Sequence, residues 1–271
     1  MSRIDLSGTA FSDVDQTGHA PSFIAYLDEA KNEFVSVKRD SYFSLRLQPN
    51  DKVLDVGCGT GEDVREIAAM VGAQGIAVGV DKSESMIAEA RRRTRESNEL
   101  GQFQVCEAEQ LPWNANTFDA CRADRLLQHV LHPHRVLREM SRVLRPGGHL
   151  AIVDRDWGMV ALDSCDEITT RVVLDRAAAG IRNGQVGRKL YGLFREADLQ
   201  EVRVRTHCVN VYNLEKADAL LDLRTVAEHS IGAGDVSRQV IDAWWDELLT
   251  RDRLRSFLAT ITLFVVSGVK W

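Results

Sequence analysis

The chain has 271 residues, 44% hydrophobic and 27% charged, with 40 acidic against 34 basic side chains and a formal net charge of -6. This composition excludes disordered, collagen-like and coiled-coil chains, and no run approaches the roughly 18 apolar residues that a bilayer span needs. The length suits one large domain with a substantial core.

Met1-Ser2-Arg3-Ile4-Asp5 carries an acid early and no apolar signal core, so a cytoplasmic protein is expected. The first dozen residues, rich in Ser, Thr, Gly and Asp, are expected to be mobile. Phe23, Leu27, Ala30, Phe34 and Val37 then recur at helical spacing, which predicts amphipathic helices over 22–46 ahead of the first strand. An alternation follows: strand Val53-Leu54-Asp55-Val56, helix 62–71, strand 76–80, helix 83–98, strand 103–105, strand 118–121, helix 134–144, the turn Arg145-Pro146-Gly147-Gly148 and strand 149–153. Strands and helices in turn mean βαβ units around a parallel sheet. Beyond 155, helical stretches over 166–182, 187–197, 215–230 and 235–256 surround strand-like 201–205 and 260–266. The expected class is α/β: a Rossmann-like, seven-stranded, mostly parallel sheet with helices on both faces and a helical cap inserted in the C-terminal part. One domain over 1–271 is expected, with a helical lid (1–46), a ligand-binding core (47–155) and the cap with the final strands (156–271). The terminal run ending at Trp271 is a candidate dimer edge.

Cys58, Cys106, Cys121, Cys165 and Cys208 form no C-x-x-C pair and read as free thiols. Arginine makes up 27 of the 34 basic residues, but the arginines are interspersed with acids, as in Arg91-Arg92-Arg93-Thr94-Arg95-Glu96. With a negative net charge, neither nucleic acid nor a membrane is the expected partner.

Asp55-Val56-Gly57-Cys58-Gly59-Thr60-Gly61 follows a strand and opens a helix, which puts its glycines at the carboxyl end of a parallel sheet. Glycines alone also fit a turn without a ligand. A dinucleotide fingerprint would need a third glycine where Glu62 stands, and Asp55, Glu62 and Asp63 would repel a pyrophosphate. S-adenosyl-L-methionine, with a sulfonium cation and no phosphate, suits the same acids. Asp81, followed by Lys82, ends the second strand, where a carboxylate can accept from both ribose hydroxyls; capping the helix at Ser83 is its alternative. Glu107 can accept from an adenine amino group, with the Ala108 backbone reading the ring edge.

With these segments the chain resembles the class I S-adenosylmethionine-dependent methyltransferases, in particular the ubiquinone/menaquinone biosynthesis and small-molecule methyltransferases. The resemblance rests on residues 53–61, Val78-Gly79-Val80-Asp81, Ser85 to Ala90, Glu107 to Trp113, Phe118-Asp119 through Val130, and Leu144 to Gly148. It covers about 50–155 and fades beyond. It implies that Gly57 and Gly59, with Cys58, Thr60 and Gly61 in the same turn, pass beneath the methionine part of the cofactor. It also implies that Asp81 holds the ribose, Met86 packs near the adenine, Glu107 and Ala108 recognise the base, and the backbone near Ala123 meets the ligand's amino group. Arg122, Asp124 and Arg125 stand where similar enzymes have small or apolar residues; Arg122 faces a substrate anion or pairs with Asp124. The Asn/Asp-Pro-Pro-Tyr/Phe motif of similar enzymes acting on nucleobase amines is absent.

Methyl transfer is an in-line displacement at carbon, so the protein aligns the acceptor, excludes water and, for some acceptors, removes a proton. His129, just after the fourth strand, is the candidate general base. His129, His132 and His134 lie in a Pro-containing loop without thiolate or carboxylate partners, and no metal is expected. Tyr26 and Phe23 either close the site from the N-terminal helix or pack as ordinary helix residues, and Asp154, Asp156 and Trp157 after the fifth strand and His229 in the cap either face the acceptor or serve as packing and loop caps. Trp244-Trp245 and Leu248-Leu249, with Tyr191, Leu193 and Phe194 earlier, give the cap an apolar character. The expected acceptor is therefore a small, fairly apolar molecule such as a quinone, polyketide, terpenoid or other secondary metabolite. The alternatives are an S-adenosylmethionine-binding fold with a non-methylating role, as a cyclase or binding partner, and a protein or RNA methyltransferase.

Overall fold

Buried β-rich runs separated by amphipathic helices build one sheet in the computed structural model, which describes residues 10–271. Strands β1 (Lys52–Val56), β2 (Ile76–Asp81), β3 (Gln102–Val105), β4 (Phe118–Asp124) and β5 (Leu144–Arg155) run parallel in the order β3-β2-β1-β4-β5. Three further strands follow: a two-residue β6 (Ala161–Leu162), β7 (Gln200–Val211) and β8 (Ala259–Val269). Strand β8 lies antiparallel against β5, and both β6 and β7 pair antiparallel with β8. The seven expected strands are present, and β6 is a short eighth. The terminal run is an interior strand between β5 and β7, which removes it as a dimer edge.

Side chains alternate across a strand, so each strand feeds two cores. Val53, Ala77, Ala120 and Ala151 face α3 (Val35–Leu45), α4 (Glu62–Val71) and α5 (Glu84–Ser97); α1 (Val14–Thr17) and α2 (Ala20–Ala30) precede these helices. Leu54, Val56, Cys121, Ala123 and Ile152 face α6 (Pro133–Val143) and, beyond α7 (Glu167–Gly180), α8 (Val186–Glu196). Ser83 starts α5 by accepting from the Met86 N–H at 3.1 Å, and Asn98 ends it in the left-handed conformation.

Helix α8 belongs to this second layer and not to the cap. Its buried Val186, Leu190 and Phe194 follow a four-residue spacing and pack under the sheet, while Tyr191 points to solvent. The cap is α7 with α9 (Leu214–Leu221), α10 (Leu223–Gly232) and α11 (Arg238–Arg253). Asp222, at φ +53°, breaks the expected 215–230 helix into α9 and α10. Fully buried Trp244 ties α11 to α7 by donating from Nε1 to Thr170 Oγ1 at 2.9 Å.

The expected lid divides as well. Helix α3 packs on β4, β5 and β8 as part of the sheet layer, whereas the segment around α1 and α2 lies over the strand ends. The expectation of a mobile start falls partly on residues 1–9, outside the described residues. Residues 10–13 form a 3-10 turn that sets Phe11 edge-on to Phe23, with ring centroids 4.7 Å apart.

Candidate active site

The order of the parallel strands reverses at β1, so the loops after β1 and β4 leave in opposite directions and open a crevice at the carboxyl ends. A cavity of about 870 Å³ occupies it. At its base the Gly57 and Cys58 N–H groups both donate to the Val80 carbonyl, at 2.7 and 2.9 Å, which folds the turn back over β2. Gly57 has φ +75°, and a Cβ there would lie 2.8 Å from Leu126 Cδ1; the turn needs glycine at this point. Asp81 accepts from the Gly59 N–H through Oδ2 at 3.0 Å and from the Ser83 N–H through Oδ1 at 2.9 Å. Each oxygen keeps a second lone-pair direction, so this loop geometry is compatible with a diol. Burial pushes the Asp81 carboxyl up from its ordinary value, and burial with the nearby carboxylates does the same to the Cys58 thiol. Gly57, Cys58, Gly59, Thr60, Asp81, Lys82, Met86, Glu107 and Ala108 all stand on the cavity wall.

Asp55, Gly61, Ala123 and Arg122 do not. Gly61 packs against Phe103 under the turn, and Ala123, fully buried, faces α6 and α8. The wall of this stretch is made by Asp124, Arg125 and Leu126. Asp55 and Arg122 are register partners on β1 and β4, so alternation sends both to the α3 side of the sheet. There fully buried Arg122 donates from Nη1 to Asp55 at 3.1 Å, from Nη2 to Asp124 at 3.1 Å and from Nε to Ser41 Oγ at 2.9 Å. Nη1 also lies 3.1 Å from Asp63, at the start of α4, and the guanidinium sits over the Tyr42 ring at 5.0 Å. Lys38 pairs with Asp63 at 3.0 Å and Arg125 with Asp124 at 2.9 Å, so three carboxylates meet three cations. Arg122 is thus a structural counter-ion: of the two expected roles the pairing with Asp124 is present, and the role toward a substrate anion is corrected because the side chain does not reach the cavity. Burial pushes Asp55 up to about 7 against the pull of Arg122. Asp63, despite the same burial, is held well below its ordinary value by Arg122, Lys38 and the Tyr42 hydroxyl.

The cavity continues past His129 under the cap. Tyr26, His129, Trp157 and His229 all reach its wall, from α2, the β4–α6 loop, the β5 end and α10. The His129 ring stacks on Phe11 at 5.3 Å, and Trp157 Nε1 donates to Gln128 Oε1 at 2.7 Å. Asp154 and Asp156 do not reach the wall. Asp154 is buried and accepts from the Arg155 and Gln128 N–H groups at 3.0 and 3.2 Å; burial pushes it up to about 7. Asp156 is held by Arg188, with Nη2 at 2.7 Å, and caps Gly158. Among the described residues no group of three His, Cys, Asp or Glu side chains is placed to hold a metal ion, and no helix is long and apolar enough to cross a membrane.

Residues 47–197 match the model of the methyltransferase domain family. The chain belongs to the class I S-adenosylmethionine-dependent methyltransferases. Its cofactor is S-adenosyl-L-methionine. The methyltransferase is 33% identical over 270 residues to a 37.1 kDa protein of transposon Tn4556 from Streptomyces fradiae, covering 96% of this chain and 74% of that one. It is also 38% identical over 108 residues to the ubiquinone/menaquinone biosynthesis C-methyltransferase UbiE of Bordetella parapertussis; that match covers 40% of this chain and 42% of the relative, less than half its length. In fold it is similar to the Haemonchus contortus phosphoethanolamine N-methyltransferase 2 solved with phosphomonomethylethanolamine and S-adenosylhomocysteine. The TM-score is 0.61 at 18% identity, over 97% of this chain and 59% of that one.

Several wall residues of the methyltransferase carry no signal in the sequence. Phe11, Ser12 and Val14 reach the cavity because Asp15 clasps the start of α5, accepting from Ser83 Oγ at 2.9 Å and from the Glu84 N–H at 2.7 Å. These contacts hold the Asp15 carboxyl below its ordinary value despite partial burial. Arg155 is among the other wall residues missed. It ends an apolar strand, and its position at the wall depends on Tyr26, far away in sequence.

Proposed function

We propose that this methyltransferase moves the methyl group of S-adenosylmethionine to a small, fairly apolar acceptor enclosed beneath the cap. The observation that carries the reading is continuity: one cavity runs from the Gly57–Thr60 turn and Asp81 to walls on α7, α9 and α10 that are apolar at Ala177, Leu220, Leu221 and Val226 and polar at Arg176, Asp222 and His229. The methionine part would lie over Gly57 to Thr60, the ribose on Asp81, the adenine between Met86 and the Glu107-Ala108 backbone. His129 stands between this half and the cap and would take the acceptor's proton where the acceptor has one to lose. Tyr26, Trp157 and His229 would hold the acceptor. Enclosure excludes water and fixes the in-line geometry, which is most of what displacement at a sulfonium carbon requires. A quinone or related secondary metabolite fits such a chamber, and the likeness to UbiE is compatible with it.

The test is calorimetric titration of the purified protein with S-adenosylhomocysteine. Micromolar binding is expected, weakened about tenfold to a hundredfold in Asp81→Asn by the loss of charge-assisted hydrogen bonds to the ribose. Asp81→Ala would in addition strand the Gly59 and Ser83 N–H groups. Absence of binding by folded wild type would overturn the reading. With binding in hand, acceptors are screened by mass spectrometry for the gain of one methyl group.

A further inference from the structure

Arg155 is a buried cation without a counter-ion. It is 3% exposed, and its guanidinium lies between the rings of Phe34, at 4.9 Å, and Trp157, at 5.5 Å. Nη1 donates to the Leu220 carbonyl and Nη2 to the Tyr26 hydroxyl, both at 3.2 Å, while the buried Nε donates to no acceptor. The nearby carboxylates are engaged elsewhere: Asp154 with backbone N–H groups, Asp156 with Arg188, Asp124 with Arg122 and Arg125, and Asp222, two residues beyond Leu220 on the same wall, with partners of its own. Among the described residues none forms an ion pair with Arg155. A desolvated, unpaired guanidinium is costly, and Arg122 in the same protein shows the usual remedy of surrounding carboxylates.

Arg155 lines the cavity, and so does Tyr26 on its Nη2 side. Nε is enclosed by protein, but Nη1 and Nη2 each keep one N–H beyond the bond to Leu220 or Tyr26, and charged guanidinium donors match a carboxylate. Beyond them the wall is apolar at Ala177, Ile181, Leu220, Leu221 and Val226, with Arg176, Arg182, Asp222 and His229 set among these residues. We propose that the acceptor is an apolar monocarboxylic acid whose carboxylate is bound by Arg155, aligned by the Tyr26 hydroxyl and the flanking aromatic faces. This rests on the methyltransferase reading above and specifies its substrate class. The cofactor's own carboxylate is the rival occupant. Arg155 ends β5, which is separated from β1 and its glycine turn by β4, and its contacts with Leu220 and Trp157 belong to the acceptor half.

The experiment titrates the full chain, saturated with S-adenosylhomocysteine, with benzoate, 2-naphthoate and dodecanoate, each against its primary amide. At least one acid is expected to bind about tenfold or more tightly than its amide, the value of one buried charge-assisted hydrogen-bond pair. That preference should vanish in Arg155→Met and survive in part in Arg155→Lys. If the methionine variant does not fold, Arg155→Gln takes its place in the same titration. Equal or absent binding of acids and amides by the cofactor-loaded wild type would overturn the proposal, as would an acid preference that survives in the methionine variant. A collapse of S-adenosylhomocysteine affinity in the variant would assign Arg155 to the cofactor carboxylate and equally overturn it. Failure of the wild type to bind S-adenosylhomocysteine at all is a separate outcome, which removes the underlying reading.

Discussion

Replacing Arg122 by methionine separates a structural role from a substrate role. The substitution keeps an unbranched apolar stem but removes the cation shared by Asp55, Asp63 and Asp124. Asp63 keeps Lys38 and Asp124 keeps Arg125, so the deficit falls on Asp55, itself 3% exposed. Breaking a buried ion cluster from one side costs about 3–5 kcal/mol, a large share of the about 5–15 kcal/mol that stabilises a typical domain. The cost depends on pH. Burial already pushes Asp55 up to about 7 with Arg122 pulling the other way; without Arg122 it rises further. The folded variant then keeps a proton that the unfolded chain releases near its ordinary value of about 3.9. A raised carboxyl adds stability that is full below its unfolded value and is lost as pH rises to its folded value, so wild type and variant lose it in parallel up to about pH 7 and only the variant goes on losing it beyond. The variant is therefore least impaired near pH 5.5, and above pH 7 its deficit grows by up to about 1.4 kcal/mol per pH unit. Urea unfolding of both proteins at pH 5.5, 7 and 8.5 measures this, and Asp55→Asn combined with Arg122→Met should recover most of the loss. A deficit under about 1 kcal/mol, or one flat across that range, would refute the counter-ion role.

Three further substitutions test separate parts of the structure. Burial raises Asp154 to about 7, so its stabilising effect, full below about pH 4, is lost as pH rises to 7. Asp154→Asn should therefore gain about 2–3 kcal/mol relative to wild type between pH 5 and pH 8, and parallel pH profiles in chemical denaturation would contradict this. Gly61 has φ +75°, and a Cβ there would sit 2.4 Å from Phe103 Cε1, so Gly61→Ala should cost about 1–3 kcal/mol by thermal unfolding, with Phe103→Leu restoring part of it. Asp15→Ala removes the clasp on the start of α5 at a cost of about 1 kcal/mol, which should speed amide hydrogen exchange over residues 10–19 about fivefold; unchanged exchange would show that the segment is held by its aromatic contacts instead.

The positions of strands and helices through residue 155 were legible because periodicity is local. Helix α4 spans the predicted residues 62–71, and α5 starts where Ser83 can cap it. The glycine turn and the acid ending β2 pointed to a cofactor without phosphate through charge alone, and the cavity wall collects those residues. The tertiary structure decided which charged side chains meet. Arg122 and Asp55 are 67 residues apart and become neighbours only through the register of β1 against β4, which also turns both away from the cavity that their positions in sequence suggested. Tyr26 and Arg155 are 129 residues apart. The allocation of helices depended on the same long-range pairing. The apolar stripe of α8 fits a cap as well as a sheet face, and it settled under the sheet because β7 and β8 extend the sheet over it. A hydrophobic stripe specifies that a face is buried, whereas the surface that buries it, and the counter-ion that a buried charge finds, are fixed only when the strands take their register.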